Sequence, residues 1–239
     1  MDNQPRAIRK HQEIKPPLAK SVGEIPDGNI ATLRRQARDC RACPLWKHAT
    51  QTVFGAGPAD ASIVLIGEQP GLQEDLVGQP FVGPAGQLLD RALAEAHLDR
   101  PRLYLTNTVK HFKYEARGKA RLHKRANAAE QAACRMWLAA ELIRIQPRII
   151  VALGAMAAQT VFGNTFSISR DRGRWHRLSP DTEGFATWHP SAILRAPDEQ
   201  RAALYQQLVE DLGEIARALA LRPRQPASKS ARQRSKRAS

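Results

Sequence analysis

The sequence predicts an α/β fold: three layers, α/β/α, around a central four-stranded parallel sheet. Two observations carry this. Along the middle of the chain, short apolar runs alternate with segments whose apolar residues recur at helical spacing. The runs close on glycine or polar turn residues, as strands buried on both faces of a parallel sheet do. No internal repeat interrupts the alternation. The folded unit is expected over residues 31–220, between an N-terminal basic arm, 1–30, and a C-terminal basic tail, 221–239.

Taken in order, the arm mixes Pro, Lys and Arg without an apolar period, which reads as loosely held chain. ASIVLIG (61–67) is an apolar run ending in Gly, the first strand. PAGQLLDRALAEAHL (84–98) spaces Leu and Ala as a helix does. RLYLTNTV (102–109) reads as the second strand. NAAEQAACRMWLAAELIRI (127–145) is a helix, with Asn127 as N-cap and Glu130 three residues on. PRIIVALG (147–154) is the third strand, AMAAQTVFG (155–163) a helix closing on Gly163, and FATWHP (185–190) the fourth strand. DEQRAALYQQLVEDLGEIARALA (198–220) is a long amphipathic helix. The tail has seven Lys or Arg and no acid. It is either a disordered solubilising segment or an extra source of phosphate affinity.

Totals bound the function. The 239 residues suit one domain with tails, and 42% hydrophobic content supports a core. A formal charge of +14 favours polyanionic partners, nucleic acid before membrane. No apolar run of about 18 residues is present, and the N-terminal residues lack a secretory apolar stretch. A cytoplasmic protein is therefore expected, where Cys40, Cys43 and Cys134 are poor candidates for disulfides.

In folds of this class, ligands bind beyond the carboxyl ends of the strands. Three polar motifs fall there: GEQPG (67–71), Asn107 with VKH (109–111), and HPS (189–191). GEQPG is either a plain strand-to-loop turn with Glu68 and Gln69 solvated, or a turn presenting backbone N–H groups. It matches neither a Walker loop nor a dinucleotide fingerprint. Phe81, in the Pro/Gly-rich loop QPFVGPAG (79–86), either plugs a satellite core or offers a face for a base to stack on. His189 either caps the core edge, with Ser191 capping the following turn, or donates to a developing negative charge.

Cys40–Arg–Ala–Cys43 is a C-x2-C hairpin. Together with Cys134 and His111 it would complete a tetrahedral zinc site or an iron–sulfur ligand set; otherwise these are plain thiols. GKARLHKR (118–125) surrounds one histidine, His123, with Lys119, Arg121, Lys124 and Arg125. A neutral imidazole has a lone pair, which Arg never has and Lys lacks when protonated. The surrounding cations disfavour its protonation.

In their joint order, CRACPL (40–45), GEQPG, PFVGPAG (80–86), TNTVK (106–110), AACRMWL (132–138) and HPSAILR (189–195) resemble the iron–sulfur uracil-DNA glycosylases, over roughly residues 30–218. Three departures point to their covalently trapping, UdgX-type branch. GEQPG stands where ordinary members have GEAPG, and VKH where they have VKC. The inserted KARLH (119–123) resembles that branch's KRRIH, with Ala120 and Leu122 as substitutions. Leu72 stands where the branch is expected to have a polar residue.

The resemblance implies excision of uracil from DNA, single-stranded DNA favoured, by a monomer. His123, Glu68, His189 and Gln69 would be catalytic. Gly67, Phe81, Asn107 and Ser191 would bind the base, and Lys119, Arg121, Lys124 and Arg195 the backbone. Cys40, Cys43, His111 and Cys134 would hold a 4Fe–4S cluster, or zinc. His123 would attack the sugar C1′ and stay attached. The competing readings are an ordinary glycosylase, in which water captures the sugar, and a basic binding module with an inactive pocket.

Overall fold

The computed structural model describes residues 24–118 and 120–221, together with the backbone of a two-residue strand, β1 (Gln12–Glu13). The elements that follow are α1 (Ile30–Ala37), β2 (Ile63–Gly67), α2 (Leu72–Val77), α3 (Pro84–Glu95), β3 (Tyr104–Asn107), β4 (Tyr114–Arg117), β5 (Ala120–His123) and α4 (Ala128–Ile145). After them come β6 (Ile149–Leu153), α5 (Gly154–Phe162), α6 (Ile168–Asp171), β7 (Trp175–Arg177), β8 (Glu183–Thr187), α7 (Pro190–Arg195) and α8 (Asp198–Leu221).

The four expected parallel strands are present, in the order β8-β6-β2-β3. The sheet is wider than four strands, however: β7 adds antiparallel to β8, and β1 pairs parallel with β7. β7 has three residues, WHR, preceded by Arg174 and ending in Arg177, so no apolar run marks it. The second strand ends at Asn107, and Val109, Lys110 and His111 lie in the turn beyond it.

Every residue of β2 and β6 is buried, and alternate side chains serve two cores. Val64, Ile66, Ile150 and Ala152 pack with α1, α4 and α5 through Leu33, Leu138 and Met156. Ile63, Leu65, Val151 and Leu153 pack with α3, α7 and α8 through Leu89, Ile193 and Leu212. This two-sided cover makes the three layers. α4 starts as its sequence dictates: Asn127 Oδ1 accepts from Glu130 N at 2.9 Å, and Glu130 Oε2 accepts from Asn127 N at 2.7 Å. Among the described residues, no helix is long and apolar enough to cross a membrane.

The basic segment is not a loop but a two-stranded antiparallel hairpin, in which Tyr114 pairs with His123 and Arg117 with Ala120. All four β5 residues are exposed, so no buried face imposes an apolar alternation on the sequence. The hairpin is fastened by its aromatics. Phe112 stacks on Tyr114 at 5.2 Å, and the Arg121 guanidinium lies 4.9 Å over the Tyr114 ring.

His176 of β7 is 4% exposed and sits between Phe162 and Phe166, with ring centroids at 5.0 and 5.5 Å. Neither ring nitrogen has a hydrogen-bond partner among the described residues. Burial lowers its pKa, opposed by Asp171. Because the folded-state pKa lies below the unfolded value, stability is complete above about pH 6.5 and declines as pH falls through that range. His176→Phe removes two unsatisfied nitrogens. In denaturant melts it is expected to be at least as stable as the parent at pH 7.5, and to lose less stability than the parent between pH 7.5 and 5.

Candidate active site

β2, β3 and β8 end at one edge of the sheet and deliver Glu68, Asn107 and His189 to it. β2 has β3 on one side and β6 on the other, so the chain reverses direction across the sheet at this point, where α/β folds open a crevice. A cavity of about 620 Å³ opens there. Glu68, Gln69, Phe81, Asn107, His123, His189, Ser191 and Arg195 line it, and Gly71, Glu74, Ala85 and Arg125 complete its wall. Residues from five separate sequence motifs therefore meet in one site of ligand size.

Gly67 forms the floor. A Cβ there would lie 2.4 Å from Asn107 Oδ1 and 2.6 Å from the Phe81 ring, so only hydrogen lets both side chains close over it. Phe81 is held in a left-handed backbone conformation, φ 57°, unusual for a bulky residue. The surroundings enforce it: Arg100 Nη2 donates to the Phe81 carbonyl at 3.0 Å, and Glu74 Oε1 accepts from Val82 N at 3.0 Å and Gly83 N at 2.8 Å. Glu74 Oε2 also accepts from Gly71 N at 3.0 Å, so one buried carboxylate ties the GEQPG turn to the Phe81 loop.

His189, not Ser191, caps α7. Its Nδ1 accepts from Ser191 N at 3.1 Å and contacts Ser191 Oγ at 2.7 Å. A backbone N–H can only donate, so Nδ1 carries the lone pair and the proton sits on Nε2. Burial, then Arg195 and His123, lower the His189 pKa to about 4. The imidazole is thus neutral at pH 7 with an N–H to donate. It approaches across the end of β6 because Gly154, at φ 82°, has no side chain; a Cβ there would lie 2.7 Å from His189 Cβ.

His123 ends β5 at the cavity mouth, with its ring 5.9 Å from that of Phe112. One side stays open to solvent, yet its pKa is lowered. Partial desolvation is the first cause and Arg195 adds to it, while Glu68 and Glu74 oppose. The neighbouring cations of its own hairpin are therefore not what keeps the lone pair free.

Gln69 does not face the cavity as a reacting group. Its Nε2 donates to Lys124 O at 2.9 Å and its Oε1 accepts from Ala126 N at 2.8 Å, so it clamps the chain just after His123. Arg121 is engaged with Tyr114 and, at 3.6 Å, with buried Asp75. Lys124 Nζ pairs with Glu115 at 2.7 Å on the exposed hairpin, a contact weak enough to leave its charge available. Lys119 lies outside the described residues. One wall residue, Glu74, was not singled out from sequence; it stands three residues after Gly71, the spacing of a capping box. Arg125, named with the basic run but given no separate role, lies 4.0 Å from Glu68.

The thiols also come together. Ionisation of Cys134 is opposed by both Cys43 and Cys40, and burial pushes its thiol up to about 12; burial raises Cys43 as well. N–H donors already point at sulfur: Lys110 N to Cys134 Sγ at 3.2 Å, and Trp137 Nε1 to Cys40 Sγ at 3.1 Å. Buried thiols beside N–H donors need a cation to become thiolates, a donor set that fits an iron–sulfur group. His111 is buried with Nε2 2.9 Å from Thr52 Oγ1, and its charged neighbour is Asp75 rather than the cysteines. Among the described residues, no three His, Cys, Asp or Glu side chains stand together to hold a single metal ion.

A flat aromatic wall, an amide at the floor, a neutral N–H donor and a carboxylate are the groups that gripping a planar heterocycle and stabilising its departure as an anion would require. Residues 54–213 match the Uracil DNA glycosylase superfamily. The chain is similar to the type-4 uracil-DNA glycosylase of Archaeoglobus fulgidus, 36% identical over 189 residues, covering 76% of this chain and 90% of that protein. It is also similar to type-4 uracil-DNA glycosylases of Thermotoga maritima (38% identical; 67% and 80% covered) and Sulfurisphaera tokodaii (32%; 82% and 87%). The chain belongs to the uracil-DNA glycosylase superfamily, hydrolases that act on N-glycosyl bonds.

Gly67→Ala is expected to leave the chain folded, with a melting temperature a few degrees lower, and to slow uracil release about 100-fold or more, since a Cβ there would drive Asn107 and Phe81 apart. Single-turnover excision alongside thermal melting checks both halves.

Proposed function

We propose that the protein excises uracil from DNA and that His123 then captures the sugar, leaving the chain covalently attached, as in the UdgX-type branch. The observation that carries this is the presence of His123, with its lone pair favoured, on the same cavity wall as His189 and Glu68.

Uracil must leave the base stack to enter a cavity of this size, which costs least in single-stranded DNA, the favoured substrate. Phe81 stacks on the ring and Asn107 reads its amide edge. Arg195, Arg121, Lys124 and Lys119 follow the phosphates. The C1′–N1 bond breaks with its electron pair going to uracil, and His189 Nε2–H stabilises the resulting anion. Glu68 stabilises the positive charge that develops on the sugar. The His123 lone pair then forms a C–N bond to C1′. The imidazolium so made loses its remaining N–H proton to solvent, and the uracil anion takes a proton from water.

Gln69 holds the attacking residue in place rather than reacting. Cys40, Cys43 and Cys134 would hold a 4Fe–4S cluster, with His111 as fourth ligand; Thr52 can accept the Nε2 proton, which leaves Nδ1 its lone pair. Such a cluster would tie the N-terminal hairpin, the turn after β3 and α4 together without taking part in bond cleavage. The enzyme is read as acting as a monomer.

The test uses an end-labelled single-stranded oligonucleotide with one uracil, boiled in SDS and run on a denaturing gel. A labelled band at the mass of protein plus DNA is expected, and His123→Ala should abolish it while keeping uracil release within about tenfold of the parent. Alkali-sensitive strand breakage without a shifted band would identify water as the nucleophile. Neither signal would leave only DNA binding. Since both imidazoles must be neutral, the rate of adduct formation is expected to be level from pH 6.5 to 8 and to fall as pH drops through the lowered His123 pKa.

A further inference from the structure

Lys110, in the turn after β3, and Glu141, on α4, form an ion pair with the side chains 1% and 0% exposed. Lys110 Nζ donates to Glu141 Oε2 at 2.6 Å, Thr106 Oγ1 at 2.6 Å and the Asn107 carbonyl at 2.8 Å. Glu141 Oε1 accepts from Gly55 N and Tyr104 Oη, both at 3.0 Å, and Thr106 Oγ1 reaches both carboxylate oxygens. All three donor positions of the ammonium are used. Neither group lines the cavity, so neither can touch a base.

A buried pair with this much hydrogen bonding is not required for stability, because well-packed apolar residues serve as well or better. What distinguishes this one is where the third ammonium proton goes. It goes to the carbonyl of Asn107, the residue whose amide lies over Gly67 and Phe81. Asn107 is also the last residue of β3: the N–H side of its following peptide is held by Gly67 O, from Thr108 N at 3.0 Å, and Lys110 Nζ holds the carbonyl side. We propose that Lys110, neutralised by Glu141, is a positioning residue for base recognition, locking the Asn107 peptide so that its side-chain amide meets the base edge in register. The inference rests on the reading of Asn107 as the base-reading residue.

Side-chain amides that read a base must be held within about 0.5 Å, and a displacement of about 1 Å can cost 100-fold in rate. Removing one partner strands a buried charge, so Lys110→Met alone is expected to lower the melting temperature by roughly 10 °C. The informative variant is Lys110→Met/Glu141→Met in the intact protein. Its melting temperature should return to near the parent's, with equal iron content per chain. Single-turnover uracil release should stay about 10- to 100-fold slow, with uracil-DNA affinity within about twofold. Asn107→Ala, and the triple variant, complete a cycle. If Lys110 acts through Asn107, the triple variant is no slower than Asn107→Ala.

Recovery of excision together with stability, or effects that multiply in the cycle, would overturn the inference. An Asn107→Ala enzyme of parental rate would instead overturn the base-reading assignment beneath it. Should the double methionine variant not fold, Thr106→Val, which keeps both charges but removes the hydroxyl between them, is expected to slow release about 3- to 10-fold and to show the same non-additivity; full activity in it would count against the proposal.

Discussion

A lysine ammonium and a glutamate carboxylate, both out of water, sit where the first core meets the catalytic edge of the sheet. Burying two charges is costly unless every lone pair and proton finds a partner. Here the partners are the elements that build the site: Tyr104 and Thr106 from β3, Gly55 from the loop before β2, and the turn carrying Asn107 and Lys110. The same turn gives its Lys110 N–H to Cys134 and its Lys110 carbonyl to Val53 N at 2.8 Å. The cysteine corner and the base pocket are therefore back to back on one short stretch of chain. Misplacing that stretch would disturb both.

Desolvation sets the electrostatics of the pocket. In a chain of net charge +14, a cleft built for a polyanion is the place to look for protonated histidines. Instead burial is the first cause lowering both His189 and His123, and Arg195 pushes both the same way. The result separates two tasks. His189 has its lone pair occupied by Ser191, while His123 has no hydrogen bond of that kind among the described residues; on the proposed reading the first offers a proton and the second a lone pair. Neutral imidazoles can divide the labour in this way because each has one donor and one acceptor nitrogen.

Much of this is legible in sequence where local physics decides it. The Asn127–Glu130 cap, the apolar strands and the polar residues at their ends are local signals, and topology then brings Glu68, Asn107 and His189 to one edge. What escapes is set by contacts distant in sequence. β7 is too short and too charged to advertise a strand, and the β4–β5 hairpin buries no face. Arg121 reads as a phosphate ligand, but nothing local announces that Asp75 and Tyr114 also stand beside it. Gln69 reads as a reacting residue of the pocket, and sequence does not show that both ends of its amide meet the backbone of residues 124–126. Gly154 reads as a strand terminator; its other role, making room for His189, depends on a residue 35 positions on.

On the proposed reading, the hairpin redirects the chemistry of a shared pocket with very little. Among its described residues one ring, His123, faces the cavity, and capture requires that ring to sit within bonding reach of a sugar carbon during the brief life of a cationic intermediate. Two exposed strands of four residues do not hold a side chain that well by themselves. The needed rigidity comes from outside the hairpin: Phe112 and Tyr114 stack at its base, Asp75 anchors Arg121, and Gln69 clamps the exit of the second strand. Alanine at position 69, as in GEAPG, would remove that clamp and leave residues 124–126 to solvent. On the proposed reading, then, the Gln69 amide and the His123 imidazole are two halves of one device. The first removes the conformational freedom that would otherwise let water reach the sugar before the second does.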